Sequence, residues 1–437
     1  MAKTYDTYKD SGIAWIGEIP GDWRVDILSL HLYDHCLYND NLKENNLLSL
    51  SYGRIIRKDI NTKEGLLPSS FNRYNIIDKG DIVLRLTDLQ NDKKSLRTGL
   101  CKERGIITSA YLTLRNRGYD DSSFLHYLLH TYDLCKVFYG MGNGVRQGMN
   151  YSDVRKIKIP CPPLSVQQSI SSFLDTKCSE IDSLISIQEE MISELLAYKQ
   201  SVITEAVTKG LDKKAKMKNS GVEWIGDIPE EWEVKPYKAI FYTEKGLNIT
   251  KADLVEKGEP VLSYGQIHSK MNTGTKINDA LLKYVPSSYI ETNPECLVQK
   301  GCFLIADTSE DYEGCGNAIY VDKDMTLFAG YHTIVARPIH NNGDYKYLAY
   351  LFLTDIWRQQ IRSRVSGIKV YSINQKIIRL TSVLLPPLPV QQAIATYLDE
   401  KTSQIDSLIA LKQSKIESLK EYKKSIIYEY VTGKKRV

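Results

Sequence analysis

The sequence predicts an α/β (α+β) protein built from two mixed α/β units, each followed by a long helix, with the two helices paired antiparallel. Three observations predict it. The chain repeats itself in order, and the middle of each copy alternates turn signals with short apolar runs. The end of each copy carries apolar residues at steps of four and three. At 437 residues the chain holds about three or four ordinary domains. With 42% hydrophobic and 25% charged residues it is neither disordered, collagen-like nor a disulfide scaffold.

The repeat opens with Ser11-Gly-Ile-Ala-Trp15-Ile-Gly-Glu-Ile-Pro20, which returns as Ser220-Gly-Val-Glu-Trp224-Ile-Gly-Asp-Ile-Pro229, and Trp23 returns as Trp232. Leu50-Ser51-Tyr52-Gly53 returns as Leu262-Ser263-Tyr264-Gly265. Pro162-Pro163-Leu164-Ser165-Val166-Gln167-Gln168 returns as Pro386-Pro387-Leu388-Pro389-Val390-Gln391-Gln392, and Ile181-Asp182-Ser183-Leu184-Ile185 as Ile405-Asp406-Ser407-Leu408-Ile409. The offset grows from 209 at the first anchor to 224 at the last, so the second copy carries about fifteen more residues in its middle. Matching ends mark a shared scaffold, and diverged middles mark two surfaces of one fold with different tasks. The boundaries are a globular unit over 1–160, a helical spacer over 161–212, a second globular unit over 213–385 and a second spacer over 386–437.

Within the middles, Lys79–Leu84 and Lys300–Ile305 each read as a turn feeding a strand. Gly105–Thr108 and Tyr331–Val335 are further strands, and Tyr127–Leu129 and Tyr347–Leu351 lie in helices. After each Pro-Pro-Leu the period changes. Ile181, Ile185, Gln188, Ile192, Leu195, Lys199 and Val202 form a seam, and Ile405, Ile409, Lys412, Ile416, Leu419, Lys423 and Ile426 form its counterpart. Leu184, Met191 and Tyr198 widen the first stripe, Leu408 and Tyr422 the second. Ser165 and Gln168 are placed for a capping box at the first helix start. Each helix runs roughly 40 residues, roughly 60 Å. The first ends near Lys209 and the second unit begins near Ser220, a gap of roughly 35 Å at most. The second helix therefore has to return along the first, giving two heads joined by an antiparallel coil, with pseudo-twofold symmetry and termini close together.

Catalytic and metal motifs are missing. Phe138-Tyr139-Gly140-Met141-Gly142 fits F-x-G-x-G, but no Asn/Asp-Pro-Pro-Tyr/Phe follows, and no G-x-x-x-x-G-K-[ST] occurs. The seven histidines form no H-E-x-x-H; His31 with His35 and His126 with His130 have i, i+4 spacing, which, without nearby Cys or acidic partners in sequence, fits surface or packing roles better than zinc. Asp307, Glu310, Asp311 and Glu313 read as a solvated loop cluster. The eight cysteines contain no C-x-x-C and read as reduced. No apolar run of about 18 residues spans a membrane, and Met1–Asp10 has no signal-peptide core, so a cytoplasmic location is expected. The net charge is only +4, yet 24–164 holds 21 basic against 15 acidic residues and 234–384 holds 18 against 15. Any nucleic-acid surface is therefore local and lies in the globular units.

The whole chain resembles the specificity subunits of type I restriction–modification systems. The repeated Trp-Ile-Gly-x-Ile-Pro-x-x-Trp opening, the Gly144-Val145-Arg146-Gln147 loop, the Pro-Pro-Leu-x-x-Gln-Gln helix start and the two seam helices carry the resemblance. It departs at Val166 and Val390, where the family often has Glu, and at Gly367-Ile368-Lys369-Val370, which lacks the Gln of the first loop. The resemblance implies a non-catalytic subunit without cofactor or metal. Each unit is then a target recognition domain for one half of a split site in double-stranded DNA. The coil sets the spacing and docks two modification subunits, which bind S-adenosylmethionine and methylate adenine. Two restriction subunits, where present, add ATP- and Mg-dependent translocation and cleavage.

Phosphate contacts give affinity and base contacts give sequence. In the first head Arg54, Arg57, Lys58, Arg85 and Arg146 are the basic candidates, with Tyr52, Gln147 and Tyr151 as polar ones. In the second, Tyr264, Gln266, His268, Lys270, His332, Lys369 and Tyr371 are chosen, since Arg bridges guanine and Gln bridges adenine in the major groove. Two other functions use the same features: a free-standing architectural DNA-binding protein, and a coiled-coil adaptor between proteins.

Overall fold

The computed structural model describes residues 4–61, 68, 70–89, 92, 95–141, 148–340 and 345–437. The chain divides into two compact units, Met1–Glu189 with Gln413–Val437, and Glu190–Lys412. Each long helix contributes one part to each unit.

Both units are built on one frame. The repeated opening folds as a small antiparallel pair, Tyr8–Asp10 on Glu18–Pro20 in the first unit and Met217–Asn219 on Asp227–Pro229 in the second. The loop between the strands is closed by Ser11 N–H donating to Gly17 O, and by Ser220 N–H donating to Gly226 O, both at 3.0 Å. Gly12, Gly17, Gly221 and Gly226 have φ of 63°, 71°, 73° and 69°, a left-handed backbone that a Cβ penalises. That is why both glycines appear in both copies. Trp23 and Trp232 follow and are buried. The next strand, Arg24–Ile27 or Glu233–Pro236, pairs antiparallel with the strand entering the long helix, Lys158–Cys161 or Ser382–Leu385.

Each unit carries a four-stranded antiparallel sheet in the same order. In the first it runs Leu32–Asp34, Leu112–Asn116, Ile82–Leu84, Thr98–Leu100. In the second it runs Phe241–Lys245, Thr333–Pro338, Phe303–Ala306, Ala318–Tyr320. The expected strands are present at Ile82–Leu84, Gly105–Ile107, Phe303–Ala306 and Thr333–Pro338. The expected helical segments lie in Ser122–Leu134 and Lys346–Phe352. Helix Ser122–Leu134 starts where Asp121 accepts from Phe124 N–H at 2.8 Å, and buries Phe124, Leu125, Leu128, Leu129 and Tyr132 at i, i+4 spacing. The second unit adds a three-stranded sheet, Lys283–Val285, Glu259–Leu262 and Phe328–Ala329, with its own apolar clusters.

The long helices span Leu164–Lys209 and Leu388–Val431. The first start differs from the expected capping box, since the helix begins two residues earlier, where Pro163 O accepts from Val166 and Gln167 N–H; in the second, Pro387 O accepts from Val390 and Gln391 N–H. Proline serves here because a first-turn carbonyl is needed and its missing N–H costs nothing. The first glutamine of each pair then folds back: Gln167 Nε2 donates to Pro162 O at 2.9 Å and Gln391 Nε2 to Pro386 O at 2.8 Å.

In the first unit Phe173 packs on Tyr430 at 4.5 Å and Asp182 accepts from Lys423 at 2.6 Å. Numbers rise on one helix as they fall on the other, so the pair is antiparallel. In the second unit Lys199 donates to Asp406 at 2.7 Å, which is the same register. The polar seam lysines thus meet the aspartates of the repeated Ile-Asp-Ser-Leu-Ile. The seam is narrower than expected. Leu184, Met191, Tyr198, Leu408 and Tyr422 are exposed, whereas Ile181, Ile405, Ile416, Leu419 and Ile426 are buried. Steps of four and three keep only one narrow row facing the partner helix.

Each helix ends against an opening motif. In the second unit Gly210 lies against Trp232, and in the first Gly433 lies against Pro20 and Trp23. The first unit therefore holds both termini together, with Arg436 over the Tyr5 ring at 5.8 Å.

Candidate nucleic-acid interface

In the first unit, strands Leu48–Ser51 and Arg54–Arg57 form a hairpin in which Ser51 pairs with Arg54. The two turn residues, Tyr52 and Gly53, have φ of 46° and 76°, the all-positive pattern of the tight turn that matches strand twist. A non-glycine residue there costs of order 1–3 kcal/mol. The tyrosine at that tip is 88% exposed. Arg54 donates to Asp182 of the first long helix at 2.6 Å, and Arg57 Nε donates to both Glu103 oxygens at 2.8 Å. Arg85 lies 3.6 Å from Asp92. Lys58 is exposed. An exposed ion pair such as those of Arg54 and Arg57 is worth up to about 1 kcal/mol, so both arginines are held only weakly. Tyr151 is half-buried and its hydroxyl donates to Leu32 O at 2.9 Å, a bond within the fold. Arg146 and Gln147 lie outside the described residues.

Sequence reasoning missed Arg97. It is fully buried, and its guanidinium donates to the carbonyls of Arg85 at 3.0 Å, Thr87 at 2.8 Å and Asp88 at 3.3 Å, to Asp92 O, and to the Tyr139 hydroxyl at 2.9 Å. One side chain thereby holds the backbone that presents Arg85. Phe138 is core and Tyr139 receives Arg97, so the described part of the F-x-G-x-G run is packing.

In the second unit the repeated Leu-Ser-Tyr-Gly ends strand Glu259–Leu262 and starts a short helix, Tyr264–Ile267. Ser263 and Gln266 form its capping box, with Gln266 Oε1 accepting from Ser263 N–H at 3.0 Å. Tyr264 packs among His268 at 6.3 Å, Tyr331 at 5.7 Å and His332 at 5.4 Å between ring centroids. His268 uses both ring nitrogens, Nε2 with Thr308 O at 2.8 Å and Nδ1 with Asn317 at 3.1 Å. His332, at φ 55°, reaches Asp307 at 3.1 Å. Thr308–Ser309 pairs with Tyr371–Ser372, and the Tyr371 ring packs on Tyr312 at 5.7 Å. The structure thus brings Tyr264, His268, His332 and Tyr371 into one aromatic, hydrogen-bonding surface. Lys270 and Lys369 are exposed beside it in sequence, and Ile368 is 96% exposed. Gln266 serves the helix cap. Asp307 and Asp311 are not simply solvated: Asp307 meets His332, and Asp311 accepts from Gly314 N–H at 2.5 Å. The signal for Asp307 and Tyr331 was their position at strand ends.

One further cluster lies in the first unit, where His31, Asp26 and Cys161 converge. The His31 imidazole is held above its ordinary value by its hydrogen bond to Asp120, at 2.7 Å, against the opposing effect of burial. Among the described residues no helix is long and apolar enough to cross a membrane.

The family model described as type I restriction modification DNA specificity domain matches residues 109–196 and 229–421. The type I restriction enzyme MjaVIII specificity subunit of Methanocaldococcus jannaschii is 26% identical over 370 residues, covering 84% of this chain and 81% of the relative. A chain solved for complex assembly and conformational transition of the type I R-M system superposes with a TM-score of 0.69 at 16% identity. The match covers 94% of this chain and 98% of that one. The HsdS subunit from Thermoanaerobacter tengcongensis gives 0.51 at 15% identity, covering 95% and 98%. With the duplicated frame, the two long helices and a family match over more than half its length, the chain belongs to the DNA specificity subunits of type I restriction–modification systems, which are not themselves catalytic.

Proposed function

We propose that segments 1–160 and 213–385 are target recognition domains, each reading one half of a bipartite, asymmetric site in double-stranded DNA. The paired helices set the spacing between the half-sites and dock two modification subunits. Those subunits supply S-adenosylmethionine chemistry, and two restriction subunits, where present, supply the ATP- and Mg-dependent steps. One observation carries this reading. The same tetrapeptide, Leu-Ser-Tyr-Gly, ends as an exposed hairpin tip at Tyr52 and as an aromatic cluster at Tyr264. A shared frame that presents different side chains at matching places suits two related readers of different sequences. The first reader uses Tyr52, Arg54, Arg57, Lys58, Arg85, Arg146, Gln147 and Tyr151; the second uses Tyr264, Gln266, His268, Lys270, His332, Lys369 and Tyr371. The exposed Leu184 and Tyr422 in one unit and Tyr198, Leu408 and Leu411 in the other fit a helix surface that a partner covers.

The test is a methylome. The chain is expressed with its neighbouring methyltransferase subunit in a host lacking adenine methylation, and methyladenine is mapped by long-read sequencing. A split motif absent from controls is expected, and exchanging Leu50–Tyr151 for a related sequence should change one half of it. A stable complex that adds no motif would refute the reading and favour an architectural or adaptor role.

A further inference from the structure

We infer that Asp26, His31 and Cys161 form a three-ligand zinc(II) site in the first unit, with its fourth position open to water or an external ligand. The three ligand atoms lie within 4.8 Å of one another. His31 Nε2 is 3.3 Å from Cys161 Sγ and 3.4 Å from Asp26 Oδ2. A tetrahedral zinc with bonds of about 2.0 Å to nitrogen and oxygen and about 2.3 Å to sulfur sets neighbouring ligand atoms about 3.3–3.6 Å apart. Both distances match that edge length. A hydrogen bond accounts for the sulfur contact equally well, but 3.4 Å is long for a charge-assisted bond between imidazole and carboxylate.

The outer partners match as well. Asp120 Oδ2 lies 2.7 Å from His31 Nδ1, and Asp120 Oδ1 accepts from Gln167 Nε2 at 2.8 Å. Both carboxylate oxygens are therefore engaged, and the Nδ1 proton is fixed on the Asp120 side. Nε2 is left to face the sulfur and Asp26. A carboxylate on the far nitrogen is the usual device for orienting a metal-bound histidine. The ligands also stand on firm supports. Asp26 and Cys161 belong to the paired strands Arg24–Ile27 and Lys158–Cys161, and His31 closes the turn Leu28–Leu30. A cleft of about 510 Å³, lined by Asp26, His31, Asp120 and Cys161, gives an entry path.

The duplication supplies an internal control. At the matching places the second unit has Lys235, Ile240 and Leu385, at offsets of 209 for the first two and 224 for the third. There, too, Ile240 closes a short turn, Tyr237–Ala239, and Leu385 ends the strand. The frame folds with apolar residues at two of the three positions, so it does not require the polar trio. A thiolate, an imidazole and a carboxylate suit zinc better than the all-oxygen preference of magnesium or calcium. Thiolate and carboxylate together neutralise the ion. The thiol proton, which now faces Ile159 O at 3.5 Å or His31, leaves to solvent when the metal binds, and so does the Nε2 proton of any imidazolium at His31. The bound ion ties the strand pair to the entry of the first long helix three residues later.

The experiment uses the full chain, stripped with a chelator and titrated with zinc(II), with metal content read by elemental mass spectrometry. One zinc per chain is expected, and cobalt(II) should give a thiolate-to-cobalt charge-transfer band. Cys161→Ser should abolish the band, His31→Gln should abolish retention, and Asp120→Asn should weaken binding about 10-fold or more. Cys101→Ser, at a buried cysteine elsewhere, should change nothing. Failure of the natural chain to retain zinc overturns the inference and leaves His31 as an ion-pair partner only; so does an unaltered titration in Cys161→Ser. If that variant does not fold, the cobalt band of the natural chain decides, and its absence is equally fatal.

Discussion

Replacing Gln167 should cost far more than replacing Gln391, although the two occupy the same place in the repeat. Gln167 is 2% exposed and makes three bonds. Its Nε2 donates to Pro162 O at 2.9 Å and Asp120 Oδ1 at 2.8 Å, and its Oε1 accepts from Asp121 N–H at 2.9 Å. Gln391 is 9% exposed and, among the described residues, keeps the bond to Pro386 O. A neutral bond is worth about 1 kcal/mol and one to a charged group about 1.5–3 kcal/mol. Gln167→Met, which preserves volume, should therefore cost about 4 kcal/mol, and Gln391→Met about 1 kcal/mol. Urea unfolding of the full chain gives the two costs. Hydrogen exchange at the Asp121 amide, which loses its acceptor only in the first variant, assigns them. Equal costs would refute the idea that this glutamine clamps the start of the long helix to Asp121, the cap of helix Ser122–Leu134.

Three further outcomes are expected. Arg97→Met leaves several part-buried carbonyls without this donor and should cost about 3 kcal/mol in urea unfolding, with weaker, less salt-dependent DNA binding as Arg85 loses its support. Asp182→Lys should destabilise by about 1 kcal/mol, because both Arg54 and Lys423 lose their partner, and Lys423→Asp in the same chain should restore part of it. Burial holds His126 at about 3 and His130 at about 4, so both stay neutral in the folded chain. The unfolded chain takes up those protons below about 6.5, so stability should fall as pH drops from 6.5 toward 4, by up to about 3 kcal/mol for His130. The urea midpoint at pH 5 against pH 7 measures this, and His130→Gln should flatten the difference.

The frame was legible because repeated local signals specify it. The opening glycines, the Pro-Pro-Leu breaks and the four-three seam each act over a few residues, and the strands and helices fell where they pointed. The helix start was misread, because Ser165 resembles a cap in sequence while Pro163 supplies the needed carbonyl two residues earlier. The seam's width was misread because apolar residues on a helix need not face its partner, as exposed Leu184 and Tyr198 show. The candidate surface was only partly legible. Sequence offered Arg54, Arg57 and Arg85 as basic candidates, and folding supplied Asp182, Glu103 and Asp92 beside them. Nothing local links His31 to Cys161, which are 130 residues apart. Nor does spacing show that Leu-Ser-Tyr-Gly bends into a hairpin at one place and a helix at the other; flanking strands decide that.

The two seam ion pairs have a consequence for ancestry. Asp182 and Lys199 belong to one copy, and Asp406 and Lys423 are the same two residues in the other, 224 positions on. Each aspartate meets the lysine of the opposite copy. A polypeptide with a single copy would carry both halves of the match, and two such molecules would satisfy both pairs through one isologous interface. Fusing two genes for that half-length chain would need no new contact, only the short linker after Lys209. The two globular units would then be free to diverge separately while the helix contacts stayed constrained by each other.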